Sequence, residues 1–257
     1  MELDLRDQTA VVTGATKGIG RAIAEALAAE GCHLHLAART EADLAELGSA
    51  LNQRFGVKIT SYALDLTQAA AQEVLAARAN SADILVNCAG NIPSGELDSF
   101  TDESWRAGWD LKVMGYINLT RLFYTAMKAR GRGVIINVIG LAGVRMDAAY
   151  IAGSAGNAAL IAFTRALGAR SVDFGVRVVG VNPTLTDTPR GQRILRFKAD
   201  RNPDDPGFIQ HFLAGLPFGR MCTAKEIADI VAFLASRRAA YMSGAVIDVD
   251  GGVNARP

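Results

Sequence analysis

Short apolar runs alternate along this chain with longer segments whose apolar positions recur at three- and four-residue intervals. Runs at 9–13, 32–38, 58–64, 83–88, 133–139, 176–181 and 245–249 read as β-strands, and helical sequence separates each from the next. In the first helical segment Ile19, Ile23, Ala26 and Leu27 share a face, with Gly31 as its stop. Leu44, Leu47 and Leu51 form a similar stripe after the second strand, and Ile227, Ile230, Val231 and Leu234 form one over 224–236. Two longer helices are predicted over 102–130 and 150–174. Strands and helices in alternation are the pattern of a parallel sheet with helical crossovers. The prediction is an α/β fold: a doubly wound seven-stranded parallel sheet with helices on both faces, spanning 1–257 as one domain. The segment 184–219 breaks the rhythm with Pro189, Pro203, Pro206 and Pro217 and reads as an irregular lobe carrying short helices.

Composition narrows the function classes. The 257 residues are 50% hydrophobic and 21% charged, with a net charge of +1, which argues against disorder and against a broad nucleic-acid surface. No apolar run is long enough to span a bilayer, and the first seven residues carry three acids and an arginine where a signal peptide would be apolar, so a cytoplasmic chain without membrane partners is expected. Cys32, Cys88 and Cys222 are far apart and odd in number, which suggests neither a disulfide framework nor a metal site. His33 and His35 alternate with Leu34 and Leu36 and read as half-covered strand residues.

Candidate chemistry begins where the first strand meets the first helix. Thr13-Gly14-Ala15-Thr16-Lys17-Gly18-Ile19-Gly20 permits a tight turn, and backbone N–H groups at a helix start can hold a pyrophosphate. Asn87-Cys88-Ala89-Gly90 stands at another strand end. Together with Pro183-Thr184-Leu185-Thr186-Asp187-Thr188, these motifs make the sequence resemble the short-chain dehydrogenase/reductase family over essentially its whole length, with Cys88 in place of an asparagine and Thr184 in place of a glycine.

The resemblance implies a Rossmann-like fold and a nicotinamide cofactor. It assigns the phosphates to Gly14, Gly18, Ile19 and Gly20, the adenine to Asp65 and Leu66, the ribose to Asn87, Ala89, Gly90 and Tyr150, and the nicotinamide to Pro183, Thr186 and Thr188. The second strand ends in Ala37-Ala38-Arg39 without an acid, and Arg39 with Lys17 suits a 2′-phosphate, which a carboxylate would repel. NADP(H) is therefore expected over NAD(H).

The catalytic positions depart from the family. Tyr150 matches its proton-passing tyrosine, but the residue four further on is Ser154 where a lysine is usual, the serine position reads Gly140, and Lys112 takes an asparagine position. A tyrosine of ordinary pKa, about 10, is a slow proton carrier at neutral pH without a neighbouring cation. Lys112 is expected to supply one from the facing helix; at about 4 Å it would be worth about 4 kcal/mol at an effective dielectric near 20. Ser94 and Asn137 are alternative donors for the lost serine.

The expected function is NADP(H)-dependent interconversion of a carbonyl and an alcohol on a small molecule, with Tyr150 and Lys112 as the catalytic pair. The rival reading is a nucleotide-binding regulatory or scaffold subunit that has lost redox chemistry. A hydrolase is disfavoured, because Ser154 lies inside a helix and not at a strand-to-helix elbow, although His211 follows as an acylation base. Between Pro189 and Arg201, five cations, Arg190, Arg193, Arg196, Lys198 and Arg201, face one acid, Asp200, which suits an anionic substrate. Family resemblance further implies a homodimer or homotetramer.

Overall fold

The computed structural model describes residues 2–256. In chain order the first half contains β1 (Thr9–Thr13), α1 (Gly18–Ala29), β2 (His33–Ala38), α2 (Glu41–Phe55), β3 (Ile59–Ala63), α3 (Ala69–Arg78) and β4 (Ile84–Asn87). The second half contains α4 (Asp102–Trp109), α5 (Gly115–Ala129), β5 (Gly133–Val138), α6 (Ile151–Ser171), β6 (Val176–Pro183), β7 (Thr186–Asp187), α7 (Pro189–Asp200), α8 (Phe208–Gly215), β8 (Cys222–Thr223), α9 (Ala224–Ala235) and β9 (Val246–Val249). Seven strands pair in the order β3-β2-β1-β4-β5-β6-β9, all parallel, as the alternation predicts. The two short strands β7 and β8 pair separately beside the 184–219 lobe.

Side-chain alternation along the strands divides the core into two layers. Ala10, Val12, Ile84, Val86, Ile136 and Val179 face the layer built with Ile23 and Leu27 of α1, Leu44 and Leu47 of α2, and Ile227 and Val231 of α9. Val11, Leu85, Ile135 and Val178 face the opposite layer, with Leu75 of α3 and Leu119, Phe123 and Met127 of α5. Strands covered on both faces explain why their sequences read as near-continuous apolar runs. Truncating a fully buried residue such as Leu85 to alanine would cost about 2–5 kcal/mol.

Buried polar groups lock the strand ends beneath the site. Asn87 Nδ2 donates to Thr120 Oγ1 at 3.1 Å and to Asn137 Oδ1 at 2.9 Å, and Asn137 Nδ2 donates to Thr164 Oγ1 at 3.0 Å. Thr13 Oγ1 accepts from the backbone N–H groups of Cys88 and Ala89, tying the turn after β4 to β1.

One helix departs from its expected form. In place of an uninterrupted helix over 102–130, α4 and α5 are joined by a π turn, Asp110–Met114, in which the Gly115 N–H reaches back to the Asp110 carbonyl. The turn carries one residue more than an α-helical turn, and π turns are frequent at functional sites. Lys112 sits in its middle. The long helix expected over 150–174 is α6 followed by a 3₁₀ turn, Val172–Phe174, with Tyr150 as the N-cap just outside.

Candidate active site

A cleft of about 830 Å³ opens at the carboxyl ends of the central strands, where the order reverses between β1 and β4 and a doubly wound sheet places its ligand. Gly14, Lys17, Gly18, Ile19, Gly20, Arg39, Asp65, Leu66, Ala89, Gly90, Lys112, Tyr150, Pro183, Thr186 and Thr188 all line it. Asn87 is the exception. Its side chain is fully buried, with Nδ2 donating to Thr120 and Asn137 and Oδ1 unpartnered, and it does not line the cleft.

The glycine turn is shaped for close approach. Gly14 adopts φ +66°, and a Cβ there would stand 2.9 Å from the Ala89 Cα, so the turns after β1 and β4 can meet only without a side chain. Gly18 opens α1 with no side chain capping its first N–H groups, and Gly18, Ile19 and Gly20 line the cleft. Lys17 Nζ pairs with Asp43 Oδ2 at 3.0 Å, whereas Arg39 has no ion-pair partner among the described residues. The two cations expected to act as one clamp thus differ: one is tethered and one is free. Thr188 Oγ1 accepts from the Gly191 N–H and caps α7, so this hydroxyl anchors the lobe at the cleft edge.

At the opposite end, the loop after β4 pairs with the backbone before α6, the Gly95 N–H donating to the Ala149 carbonyl at 2.8 Å, and this sets Tyr150. The Tyr150 ring lies flat on Gly153, where a Cβ would be 2.0 Å from Cε1 and Cζ. Its hydroxyl accepts from Arg190 Nη2 at 3.3 Å. Burial pushes the Tyr150 pKa up, and the Arg190 guanidinium opposes that. Arg190 also donates to Asn91 Oδ1 at 2.6 Å and to the Ile92 carbonyl at 2.8 Å, so it bridges α7, the loop after β4 and the start of α6.

Lys112 reaches the same end by another route. Its stem crosses Gly90, where a Cβ would stand 2.8 Å from Cδ, and its ammonium donates to the Ile139 carbonyl. Burial lowers its pKa to about 7, with Arg190 adding to the effect. The expected direct pairing of Lys112 with Tyr150 is therefore corrected: the cation on the phenol is Arg190, and the buried ammonium takes the nearest carbonyl as its partner. Arg190 is legible in sequence as a lobe cation. Its position next to Pro189, in the first turn of α7, is what swings it over the cleft.

The serine position is empty by construction. Gly140 holds φ +143°, a conformation side chains rarely adopt, and a Cβ there would stand 2.9 Å from Asn157 Nδ2. Asn157, 2% exposed, lines the cleft, and its Oδ1 meets no hydrogen-bond partner. Asn137, one suggested replacement, has both ends of its amide engaged in the sheet, while Ser94 lines the cleft. Ser154 Oγ bonds the Asp147 backbone and His211 pairs with Asp205 at 3.0 Å, so neither is arranged for acyl transfer. Burial pushes the Cys88 thiol up to about 12.

The family described as enoyl-(acyl carrier protein) reductase matches residues 14–254. Galactitol 2-dehydrogenase of Rhizobium johnstonii is 34% identical over 258 residues, covering 96% of this chain and 95% of its own length. D-beta-hydroxybutyrate dehydrogenase of Cupriavidus necator is 31% identical, covering 96% of this chain and 98% of its own. The chain belongs to the short-chain dehydrogenase/reductase family. The solved structure of L-sorbose reductase from Gluconobacter frateurii, complexed with NADPH and L-sorbose, superposes with a TM-score of 0.90 at 31% identity over 100% of both chains. Family and relatives make this chain an oxidoreductase of the kind that acts on CH–OH groups.

This short-chain dehydrogenase/reductase cleft also fits a nicotinamide dinucleotide on its own geometry. The turn at Gly14 is a cradle that a Cβ would fill, the uncapped start of α1 suits phosphate, and the cavity lies within the range of small-molecule sites. Among the described residues no helix is long and apolar enough to cross a membrane, and no group of three or more His, Cys, Asp or Glu side chains is placed to hold a metal.

Proposed function

We propose that this protein is an NADP(H)-dependent reductase or dehydrogenase that interconverts a carbonyl and an alcohol on an anionic small molecule, with Tyr150 as proton donor and acceptor. The observation that carries the reading is the Tyr150 hydroxyl in the cleft with a guanidinium on it. The bound nicotinamide supplies or accepts a hydride. Tyr150 Oη moves the accompanying proton to or from the substrate oxygen, and Arg190 stabilises the phenolate left behind in reduction. Lys112, with its pKa near 7, acts as a second cation at this end and exchanges protons near neutrality.

Arg39 and Lys17 favour a 2′-phosphate beyond the end of β2, where no acid directly follows the strand and Asp43, which also lines the cleft, is paired with Lys17. NADPH in the sorbose reductase complex is in keeping with that choice. The lobe 184–219 acts as the substrate lid. Its cations Arg190, Arg193, Lys198 and Arg201 line the cleft without ion-pair partners among the described residues, beside Phe197, Phe208 and Phe212; Arg196 lies outside it, and Asp147 is a lone acid at that end. An anion with an apolar body suits this lining. The protein works in the cytoplasm as a homodimer or homotetramer.

The test is NADPH and NADH titration, followed by turnover against aldehydes, ketones and keto acids in matched anionic and neutral pairs. Tighter NADPH binding and salt-sensitive preference for the anion are expected. Equal, salt-independent efficiency for both analogues would end the anionic reading, and absence of turnover with every carbonyl would end the oxidoreductase reading.

A further inference from the structure

We propose that the Asn157 carboxamide hydrogen-bonds the reacting oxygen of the substrate, occupying the space that a side chain at residue 140 would fill. The inference rests on the oxidoreductase reading and adds a catalytic residue to it.

A carboxamide offers two N–H donors and an acceptor oxygen. Asn157 is 2% exposed, yet neither end of its amide makes a hydrogen bond within the described residues, and Oδ1 is fully buried without a partner. Buried amides left unbonded are rare and costly, so one that lines a cleft is poised for a ligand. Its Nδ2 stands 2.9 Å from where the Cβ of residue 140 would be, and Gly140 at φ +143° carries nothing into that space. One volume thus serves either a side chain on 140 or the amide of 157.

The position relative to Tyr150 is also suited to the chemistry. The Tyr150 ring lies on Gly153, and Asn157 follows four residues later on the same face of α6. The phenol and the amide are therefore successive groups along one wall of the cleft. In reduction a bound nicotinamide would supply the hydride for the new C–H bond; as the carbonyl π pair moves to oxygen, the Tyr150 hydroxyl gives its proton to that oxygen. Asn157 Nδ2–H donates to the oxygen as it becomes negative, and the phenolate regains a proton from solvent. In the oxidative direction the same Nδ2–H donates to the alcohol oxygen as its hydroxyl proton passes to Tyr150.

Two variants test this, the first of equal size and the second of the same branched shape. Asn157→Asp removes the donor, and Asn157→Leu removes all polarity; both are assayed for turnover, NADPH dissociation constant and melting temperature of the ligand-free protein. The expected result is a loss of kcat/KM of about 10²- to 10³-fold in both, as for oxyanion donors. The NADPH Kd should stay within about twofold, and the melting temperature of Asn157→Leu should be equal or higher, because an unbonded amide is replaced by an apolar group. Unchanged turnover overturns the inference alone. A rise in NADPH Kd parallel to the lost rate gives the amide to a cofactor hydroxyl and overturns it, as does a lower melting temperature for Asn157→Leu, which would mark a structural role. No turnover by the unsubstituted protein takes down the oxidoreductase reading and the inference together.

Discussion

Arg190, in the first turn of the lobe helix, donates to the Tyr150 hydroxyl at 3.3 Å, so the lobe that lines the cleft also carries the cation on the phenol proposed as proton donor. The same guanidinium holds Asn91 and the Ile92 carbonyl, which fixes its plane.

Arg190→Met is expected to lower kcat/KM by about 10- to 100-fold, the range lost with a charged partner of a general acid. Burial would then raise the Tyr150 pKa unopposed by its nearest cation, which moves the tyrosine's limb of the pH–rate profile to higher pH. Arg190→Lys should recover only part of the rate, because a point-like ammonium cannot bond Asn91, Ile92 and Tyr150 together. Steady-state NADPH oxidation across pH checks both.

Gly153→Ala separates helix stability from site geometry. Alanine is favoured over glycine in a helix interior by about 1 kcal/mol, so propensity alone predicts a more stable protein. A Cβ at this position would meet the Tyr150 ring at 2.0 Å and must displace it. The expected outcome is a folded protein whose melting temperature falls little, with turnover reduced to near that of Tyr150→Phe. Turnover equal to that of the unsubstituted protein would show that the ring's place on Gly153 does not matter.

Lys112 links stability to pH with a definite sign. Its pKa falls from 10.5 in the unfolded chain to about 7 in the folded one, so between those values the unfolded state binds the extra proton and stability rises with pH. Below about 7 the cost of the buried ammonium is fully present. Lys112→Met removes that cost, and its melting temperature should exceed that of the unsubstituted protein most at pH 6, with the gap narrowing by pH 8.5. Staying below the ordinary thiol pKa of 9.0 keeps Cys88, pushed up to about 12, out of the comparison. A gap that is constant with pH would mean that Lys112 stays charged throughout.

The parallel sheet was legible because strands buried on both faces, such as Ile84–Asn87 and Val176–Pro183, leave short β-branched apolar runs at regular intervals between helical segments. The cofactor end was legible for a similar reason: glycine is needed at position 14 by the approach of Ala89, and its spacing survives in the sequence. The catalytic end was less so. The π turn around Lys112 has no distinct apolar signature, because its neighbours Leu111 and Val113 fit an α-helical stripe equally well. Arg190 and Tyr150 are 40 residues apart, and Gly140 and Asn157 meet only because the turn after β5 folds against α6. Sequence patterns report local geometry, and these contacts are made by tertiary packing. Asn87 differs in the opposite sense: its motif is local and recognisable, yet its side chain lies below the cleft with Nδ2 bonded to Thr120 and Asn137.

On the proposed reading, cofactor preference depends on an unequal pair, Arg39 after β2 and Lys17 at the N-cap of α1. Arg39 has no ion-pair partner among the described residues, whereas Lys17 is held by Asp43 at 3.0 Å and must exchange that carboxylate for a phosphate. Lys17 is exposed, but Asp43 is half-buried with Oδ2 covered, so giving up Lys17 costs this carboxylate its partner and opposes part of the gain from phosphate. Arg39→Asp should therefore weaken NADPH by about 100-fold and leave NADH unchanged or tighter, since the new carboxylate repels a 2′-phosphate and can accept from ribose hydroxyls. Lys17→Ala should weaken NADPH by less, about 10-fold. Asp43→Asn should tighten NADPH, because it frees Lys17 and removes a negative charge beside the phosphate. Fluorescence titration with both nucleotides checks the ranking, and equal losses for NADPH and NADH in Arg39→Asp would remove Arg39 from the phosphate site.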